Sequence, residues 1–249
     1  MMIRINKLLA LLGLSSRRGA DQLIDQGRVK LNQQPASLGS QVDVDQDQVT
    51  VDGQILDLSQ LQAKLATDNF EYWLLNKPAG VISAISDPQG RKAVSHFFQG
   101  KSSARLYPVG RLDYQSTGLL LMTDDGDLAY RLTHPKYKIE KEYVVLAQGI
   151  FSPKKIQRLL KGVKLAEGVA KADQIELLDK QQRQLELKFI MHEGRKREIR
   201  RMCAKVGWEV LELTRVRLAN LSLGKLQPGT VRKLTETEVE ALRQAVALG

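Results

Sequence analysis

The 249-residue chain has one cysteine, Cys203, and three scattered histidines, so it cannot form an internal disulfide and offers no Cys/His spacing for a zinc site. No G-x-G-x-x-G opens a helix after a strand and no Walker loop occurs, so neither a nucleotide cofactor nor a metal is expected. Aromatic residues make up only 5% of the chain, which leaves few stacking platforms for bases; any stacking ring must be one particular residue. No apolar run approaches the ~20 residues that span a bilayer. Arg4 and Lys7 followed by LLALLGL imitate a signal peptide, but Ile5, Leu8, Leu9 and Leu12 fall on one helical stripe. Arg17 and Arg18 stand where small cleavage-site residues would be needed. The expectation is a cytoplasmic protein that does not engage a membrane.

What the chain has is positive charge. Lys+Arg number 38 against 28 Asp+Glu, a net +10, which favours a polyanionic partner such as nucleic acid. Residues 1–30 hold Arg4, Lys7, Arg17, Arg18, Arg28 and Lys30 against only Asp21 and Asp25. Residues 3–14 read as a first helix, and Ser15-Ser16 caps a second over 17–26, with Ala20, Leu23 and Ile24 inward and Gly27 as its stop. Arg28-Val29-Lys30-Leu31 alternates like a half-buried strand, and Val42, Val44, Val49 and Val51 keep the two-residue period up to an Asp52-Gly53 turn. This unit is expected over residues 1–62, with 63–69 as a connector.

From residue 70 the texture changes. Strands are expected over 71–78, 118–123, 142–148, 183–191 and within 210–223. Helices are expected over 92–98, 127–133, after Ser152-Pro153, and behind the Thr235-x-x-Glu238 capping box. Such an order predicts an α/β domain over 70–249, built on a mixed, largely antiparallel sheet with flanking helices.

Two features point to chemistry. In LYPVGRLDYQSTGLLLM, Arg111 and Asp113 sit just before the apolar run Leu119–Met122, and a charge at the mouth of a buried strand is costly unless paired or used. In HEGRKREIRRMCAKVG, the residues Ile199, Met202, Cys203 and Val206 form a helical stripe starting near Arg195. At about 100° per residue, Arg197 and Arg201 project away from that stripe while Arg200 lies on its border, within reach of a cleft. Cys203 lies on the stripe and reads as core packing.

The order of residues in R-I-N-K-L-L-A-L-L-G-L-S-S-R-R-G-A-D-Q-L-I-D-Q-G-R-V-K-L-N-Q resembles the S4 domain, an RNA-binding module. That resemblance implies RNA contacts from Arg17, Arg18, Arg28 and Lys30. Asn76-Lys77-Pro78-Ala79-Gly80, GRLDYQSTGLLLMTDDG, Glu140-Lys141-Glu142-Tyr143 and EGRKREIRRM, in this order, resemble a pseudouridine synthase of the RsuA/RluB branch. The resemblance implies isomerisation of a uridine in ribosomal RNA without a cofactor. In it Asp113 acts at C1′ or on the C2′ proton, between which the sequence does not choose. Tyr143 stacks on the flipped uracil, and Arg200 pairs with Asp113; Arg197 takes that place if the helix is one turn out of phase. Arg111 contacts or replaces the flipped nucleotide, and Lys77, Arg197 and Arg201 support RNA binding. G-R-K-R-E-I-R-R resembles the large-subunit (23S) enzymes more than the 16S one. The expected partner is therefore 23S ribosomal RNA, bound by a monomer. The rival is a non-catalytic S4-containing RNA-binding or ribosome-assembly factor, which would not need Asp113, Tyr143 and Arg200 together.

Overall fold

The computed structural model describes residues 1–66 and 69–247, with residues 60 and 64–66 described by their backbone only. The chain forms two compact units that divide between Phe70 and Glu71.

In the first unit, strand β1 (Met2–Arg4) pairs antiparallel with β4 (Gln41–Asp43), setting Ile3 opposite Val42. This pairing takes the first residues of the expected helix, which is therefore only Ile5–Leu11 (α1) and ends before Gly13 at φ +77°. Helix α2 (Arg17–Asp25) is capped by the Ser16 hydroxyl, which accepts from Gly19 N at 3.0 Å, and it stops at Gly27 with φ +69°. Strands β2 (Val29–Leu31), β3 (Gln34–Pro35), β5 (Val49–Val51) and β6 (Gln54–Ile55) make a sheet in the order β3-β2-β5-β6. Asp52 and Gly53, both at positive φ, turn β5 into β6. Ile5, Leu8, Leu9, Ala20, Ile24, Val29, Val42 and Val49 form the core.

The expected connector is partly a helix: α3 spans Ser59–Ala66. Leu58 and Leu61, three residues apart, are buried in the first unit's core, and the Gln62 side chain donates to Val44 O at 2.6 Å. The lack of aromatics in this stretch concealed a short amphipathic turn. Residues 67 and 68 of the expected connector lie outside the described residues.

The second unit runs β7 (Tyr72–Lys77), a 3-10 turn (Val94–Phe98), β8 (Tyr107–Pro108), β9 (Thr117–Thr123), α4 (Gly126–Thr133), a second 3-10 turn (Pro135–Tyr137), β10 (Lys141–Gln148) and α5 (Pro153–Lys161). It continues through the hairpin β11 (Val163–Leu165)–β12 (Gly168–Ala170), then β13 (Gln174–Gln181), β14 (Gln184–Met191), α6 (Glu198–Lys205) and β15 (Glu209–Leu218). Strands β16 (Leu221–Ser222) and β17 (Val231–Lys233) and helix α7 (Glu236–Ala245) complete it. Nine strands form one sheet whose main order is β13-β14-β10-β15-β9-β7-β17. Every pairing in it is antiparallel except β15 with β9.

That parallel step needs Gly118. A Cβ there would lie 2.2 Å from the Arg215 carbonyl oxygen, and its φ of +99° suits glycine. The Thr235/Glu238 capping box forms as expected at α7, with Glu238 N donating to the Thr235 hydroxyl at 3.2 Å. Among the described residues no helix is long and apolar enough to cross a membrane.

Candidate active site

Asp113 sits on the loop between β8 and β9, and its neighbours decide where it points. Leu112 is buried in the core and Arg111 before it is exposed, and the Asp113 side chain that follows is half-buried and lines a cleft. Two side chains clamp that backbone. The Ser83 hydroxyl donates to Leu112 O at 2.9 Å and accepts from Leu112 N at 3.1 Å. The Lys77 ammonium, wholly buried at the end of β7, donates to Ser116 O at 2.7 Å, Pro78 O at 3.0 Å and Asp113 O at 3.2 Å, with Tyr114 O at 3.5 Å. Burial pushes the Lys77 pKa down to about 8, and the Asp113 charge acts in the opposite sense.

Lys77 was expected among the RNA contacts. With no exposed surface it cannot be one, and its charge serves to gather the carbonyls of the Asp113 loop. The Asn-Lys-Pro-Ala-Gly turn misled because turn lysines are usually solvated, whereas this one ends a strand buried along its whole length.

Also lining the cleft, Tyr143 lies on β10 with Phe189 of β14 and Arg215 of β15 opposite it. It is only 8% exposed, yet it contributes to the cleft wall. A register shift between Glu142 and Tyr143 interrupts the β10–β15 ladder at this point. Lys141, one pleat repeat earlier on the same face, is buried and donates to Ile139 O at 2.9 Å and His192 O at 2.8 Å. Its pKa is pushed down to about 8, first by burial and then by Arg215. Arg215 is 2% exposed, and its Nε donates to Leu119 O at 2.7 Å.

The remaining wall is the segment before α6. That helix begins at Glu198, later than expected, because Arg197 adopts a left-handed conformation at φ 51°. Such a conformation is strained for a non-glycine residue and persists where surroundings impose it. Glu198 turns inward, accepting from Arg195 N at 3.0 Å, and burial raises its pKa. Arg195, Lys196 and Arg197 consequently line the cleft together with Arg111.

Arg200 behaves differently from expectation. Its Nη1 donates to Val210 O at 2.8 Å, it does not line the cleft, and among the described residues Asp113 forms no ion pair. The two charges are nevertheless in electrostatic range. Burial and Arg197 lower the Arg200 pKa while Asp113 raises it, and Arg200 Nε and Nη2 are buried with no protein partner. Two guanidinium nitrogens without a protein partner thus remain within the carboxylate's field.

The cleft encloses about 580 Å3, in the size range of sites that hold a small ligand or a single nucleotide. Five cationic side chains (Arg91 and the four above), four carboxylates including Asp113, and the rings of Tyr114 and Tyr143 line this nucleotide-sized space, a set that can hold an anionic substrate and present Asp113 to one of its carbon centres.

Residues 71–205 match the family model described as RNA pseudouridylate synthase, and residues 3–49 match the S4 domain. The chain belongs to the RNA pseudouridylate synthase family. Among similar proteins is ribosomal large subunit pseudouridine synthase B of Bacillus subtilis, 41% identical over 97% of this chain and 96% of that one. An uncharacterized RNA pseudouridine synthase of Aquifex aeolicus is 38% identical over 100% of this chain and 96% of its own length. A crystal structure of a pseudouridylate synthase superposes with a TM-score of 0.67 at 29% identity, covering 96% of this chain and 99% of the other.

In this pseudouridine synthase the other expected RNA contacts divide into two groups. Arg17, Arg18 and Lys30 are exposed, and among the described residues they form no ion pairs. Arg28 is exposed but forks onto Asp52, with Nε–Oδ1 at 2.7 Å and Nη2–Oδ2 at 2.6 Å. Arg201 grips Glu167 of the β11–β12 hairpin at 2.9 and 2.7 Å, so it ties elements together instead of reaching outward. Cys203 is fully buried and its pKa is pushed up to about 12 by burial, as suits core packing. Sequence reading overlooked Arg215, which stands opposite Tyr143 on β15 outside the cleft lining, although a charged residue on an inward strand position marks it. It also overlooked Ser83, for which a single sequence carries no signal.

Proposed function

We propose that the chain converts a uridine of large-subunit ribosomal RNA to pseudouridine, with Asp113 as the reacting carboxylate. The observation that supports this most is the placement of Asp113: in a chain of this family, it lines a nucleotide-sized cleft on a loop clamped by Lys77 and Ser83, and Tyr143 lines the same cleft. The reaction breaks N1–C1′, turns the uracil while it stays bound and joins C5 to C1′. The C5 proton leaves, and no electron is gained or lost. One carboxylate suffices, attacking C1′ or removing the C2′ proton.

The reacting atoms are shielded in a stacked helix, so the uridine must flip into the cleft. The Tyr143 ring then stacks on it and its hydroxyl helps to move the C5 proton. Arg111, Lys196 and Arg197 meet the flanking phosphates. The orphaned N–H groups of Arg200 turn to Asp113 when substrate closes the cleft, keeping the carboxylate ionised. The large-subunit preference is supported by the name of the Bacillus subtilis relative and by the Gly194–Arg201 stretch. The acting form is proposed to be a cytoplasmic monomer, as expected from the sequence.

Ribosomal RNA carrying 5-³H-uridine tests this reading, since the label leaves only when C5 is joined. Tritium release from 23S fragments and not from 16S RNA is expected. No release from either RNA contradicts the proposed activity, and release only from 16S RNA contradicts the assignment to the large subunit.

A further inference from the structure

Half of the Phe, Trp and Tyr rings of the second unit serve the core: Trp73, Trp208, Phe98, Phe189, Tyr72 and Tyr143 are all buried. Three others gather at the surface instead, at the end of α4 and on the following turn. Tyr130 is 49% exposed, and its ring centroid lies 5.0 Å from His134 and 6.2 Å from Tyr137, with His134 and Tyr137 6.4 Å apart. The Lys136 ammonium stands over two of these rings, 5.5 Å from Tyr130 and 4.7 Å from Tyr137. Lys138, also exposed, follows in a left-handed conformation at φ 50°. In a chain with so few aromatics, a surface cluster of rings laced with ammonium groups is not explained by packing.

The cluster is held in place. Arg131 donates to the carbonyls of Val246 at 3.0 Å and Ala247 at 2.5 Å, tying α4 to the end of α7. His134 Nδ1 accepts from Lys136 N at 3.2 Å, and the Thr133 hydroxyl donates to Ala129 O at 2.7 Å. The cluster also borders the cleft. The Thr133 methyl lies 3.5 Å from where a Cβ on Gly110 would stand, and Gly110 immediately precedes Arg111 of the cleft wall. On its other side, two residues separate Lys138 from Lys141, where the strand carrying Tyr143 starts.

We propose that Tyr130, His134, Tyr137 and Lys136 form a second nucleotide subsite, taking an unpaired base of the same RNA whose uridine enters the cleft. The inference rests on the RNA-modifying reading above. Stacking on a ring accepts any base, because every base has a π-face, and the ammonium groups of Lys136 and Lys138 meet the adjoining phosphates. An acidic peptide would satisfy the lysines but would leave the rings without a planar partner, so a nucleotide fits the whole cluster better. The subsite would hold the strand beside the flipped uridine and favour targets flanked by single-stranded RNA.

The test measures affinity by fluorescence anisotropy for a 23S hairpin with the target uridine, made with and without a short single-stranded extension. The wild type binds the extended hairpin more tightly. Tyr130→Ala and Lys136→Glu lose most of that gain, about tenfold for the loss of one stacked base, while binding the bare hairpin as the wild type does. Tyr130→Phe keeps the gain. The bare hairpin also reports whether each variant is folded. The subsite is refuted if the extension adds nothing in the wild type, if both variants keep the gain, or if they weaken equally on the two RNAs. Tritium release by the wild type on the same hairpin judges the proposed activity separately, because the affinity arms do not depend on turnover.

Discussion

Arg17 and Arg18 stand in open solvent at the first turn of α2, whereas Arg195, Arg200 and Arg215 are held in the catalytic unit by carbonyls and carboxylates. The first pair keeps its hydration, and its attraction for phosphates is screened beyond a Debye length of about 8 Å at physiological salt. Such charges raise affinity for any nearby phosphate without selecting an atom. The second group has given up part of its water. A desolvated charge must find partners, and finding them fixes its position. Lys77 is the extreme case, with three short bonds to backbone carbonyls and no exposed surface. The basic residues therefore divide into those that gather RNA and those that hold the apparatus around Asp113 rigid.

The largest expected effect comes from Asp113→Asn. It is nearly isosteric and leaves the Lys77 and Ser83 clamps untouched, since both act on backbone atoms. Turnover should fall a thousandfold or more while melting temperature and RNA affinity stay near wild type. If Asn instead lowers stability and leaves turnover normal, Asp113 is only a structural charge. Tyr143→Phe comes next: the ring still stacks, and turnover should fall about a hundredfold or more if the hydroxyl moves a proton. Tyr143→Ala should weaken binding as well, by roughly 1–3 kcal/mol. Wild-type turnover in both variants would reduce Tyr143 to packing.

Lys77→Met sharpens the comparison from the structural side. It strands the carbonyls of the Asp113 loop and should cost roughly 2–3 kcal/mol of stability. The pH dependence carries the sign. Lys77 releases its proton near pH 8 in the folded chain, against 10.5 for an ordinary lysine. Between those values the unfolded chain binds more protons, so stability should rise with pH through this window and be lost again as pH falls toward 8. Lys141 shares the direction and remains in the variant. Denaturant melts across the window should show a shallower rise for Lys77→Met than for wild type; equal slopes would mean that Lys77 is not the desolvated ammonium described. The smallest effect is that of Arg17→Ala with Arg18→Ala, where each lost phosphate contact lowers the salt slope of binding by roughly 0.7–0.9. Unchanged affinity and slope would remove the N-terminal unit from RNA capture.

Much of this arrangement was legible in the sequence. Alternation marked β14, Ser16 and the Thr235/Glu238 box marked helix starts, and the charge before Leu119–Met122 drew attention to Asp113. What was not legible depended on contacts distant in the chain. The helical phase of the 195–206 segment could not reveal that Arg197 turns left-handed, which delays α6 to Glu198 and places Arg197 in the cleft wall. Nor could it show that the Val210 carbonyl would claim Arg200 Nη1. Strand β13 escaped because it lies at the sheet edge and is largely exposed, so its apolar period is weak. The Lys77 clamp joins residues 36 to 39 positions apart through backbone atoms, which carry no residue-specific signal.

The division between capture and chemistry is tested most directly by single-turnover tritium release at saturating RNA, comparing Asp113→Asn with the Arg17→Ala/Arg18→Ala double variant on one 23S substrate. The account predicts that the double variant releases tritium at close to the wild-type rate once RNA is saturating, while Asp113→Asn, bound as tightly as wild type, releases almost none. Release by Asp113→Asn at the wild-type rate would contradict the account.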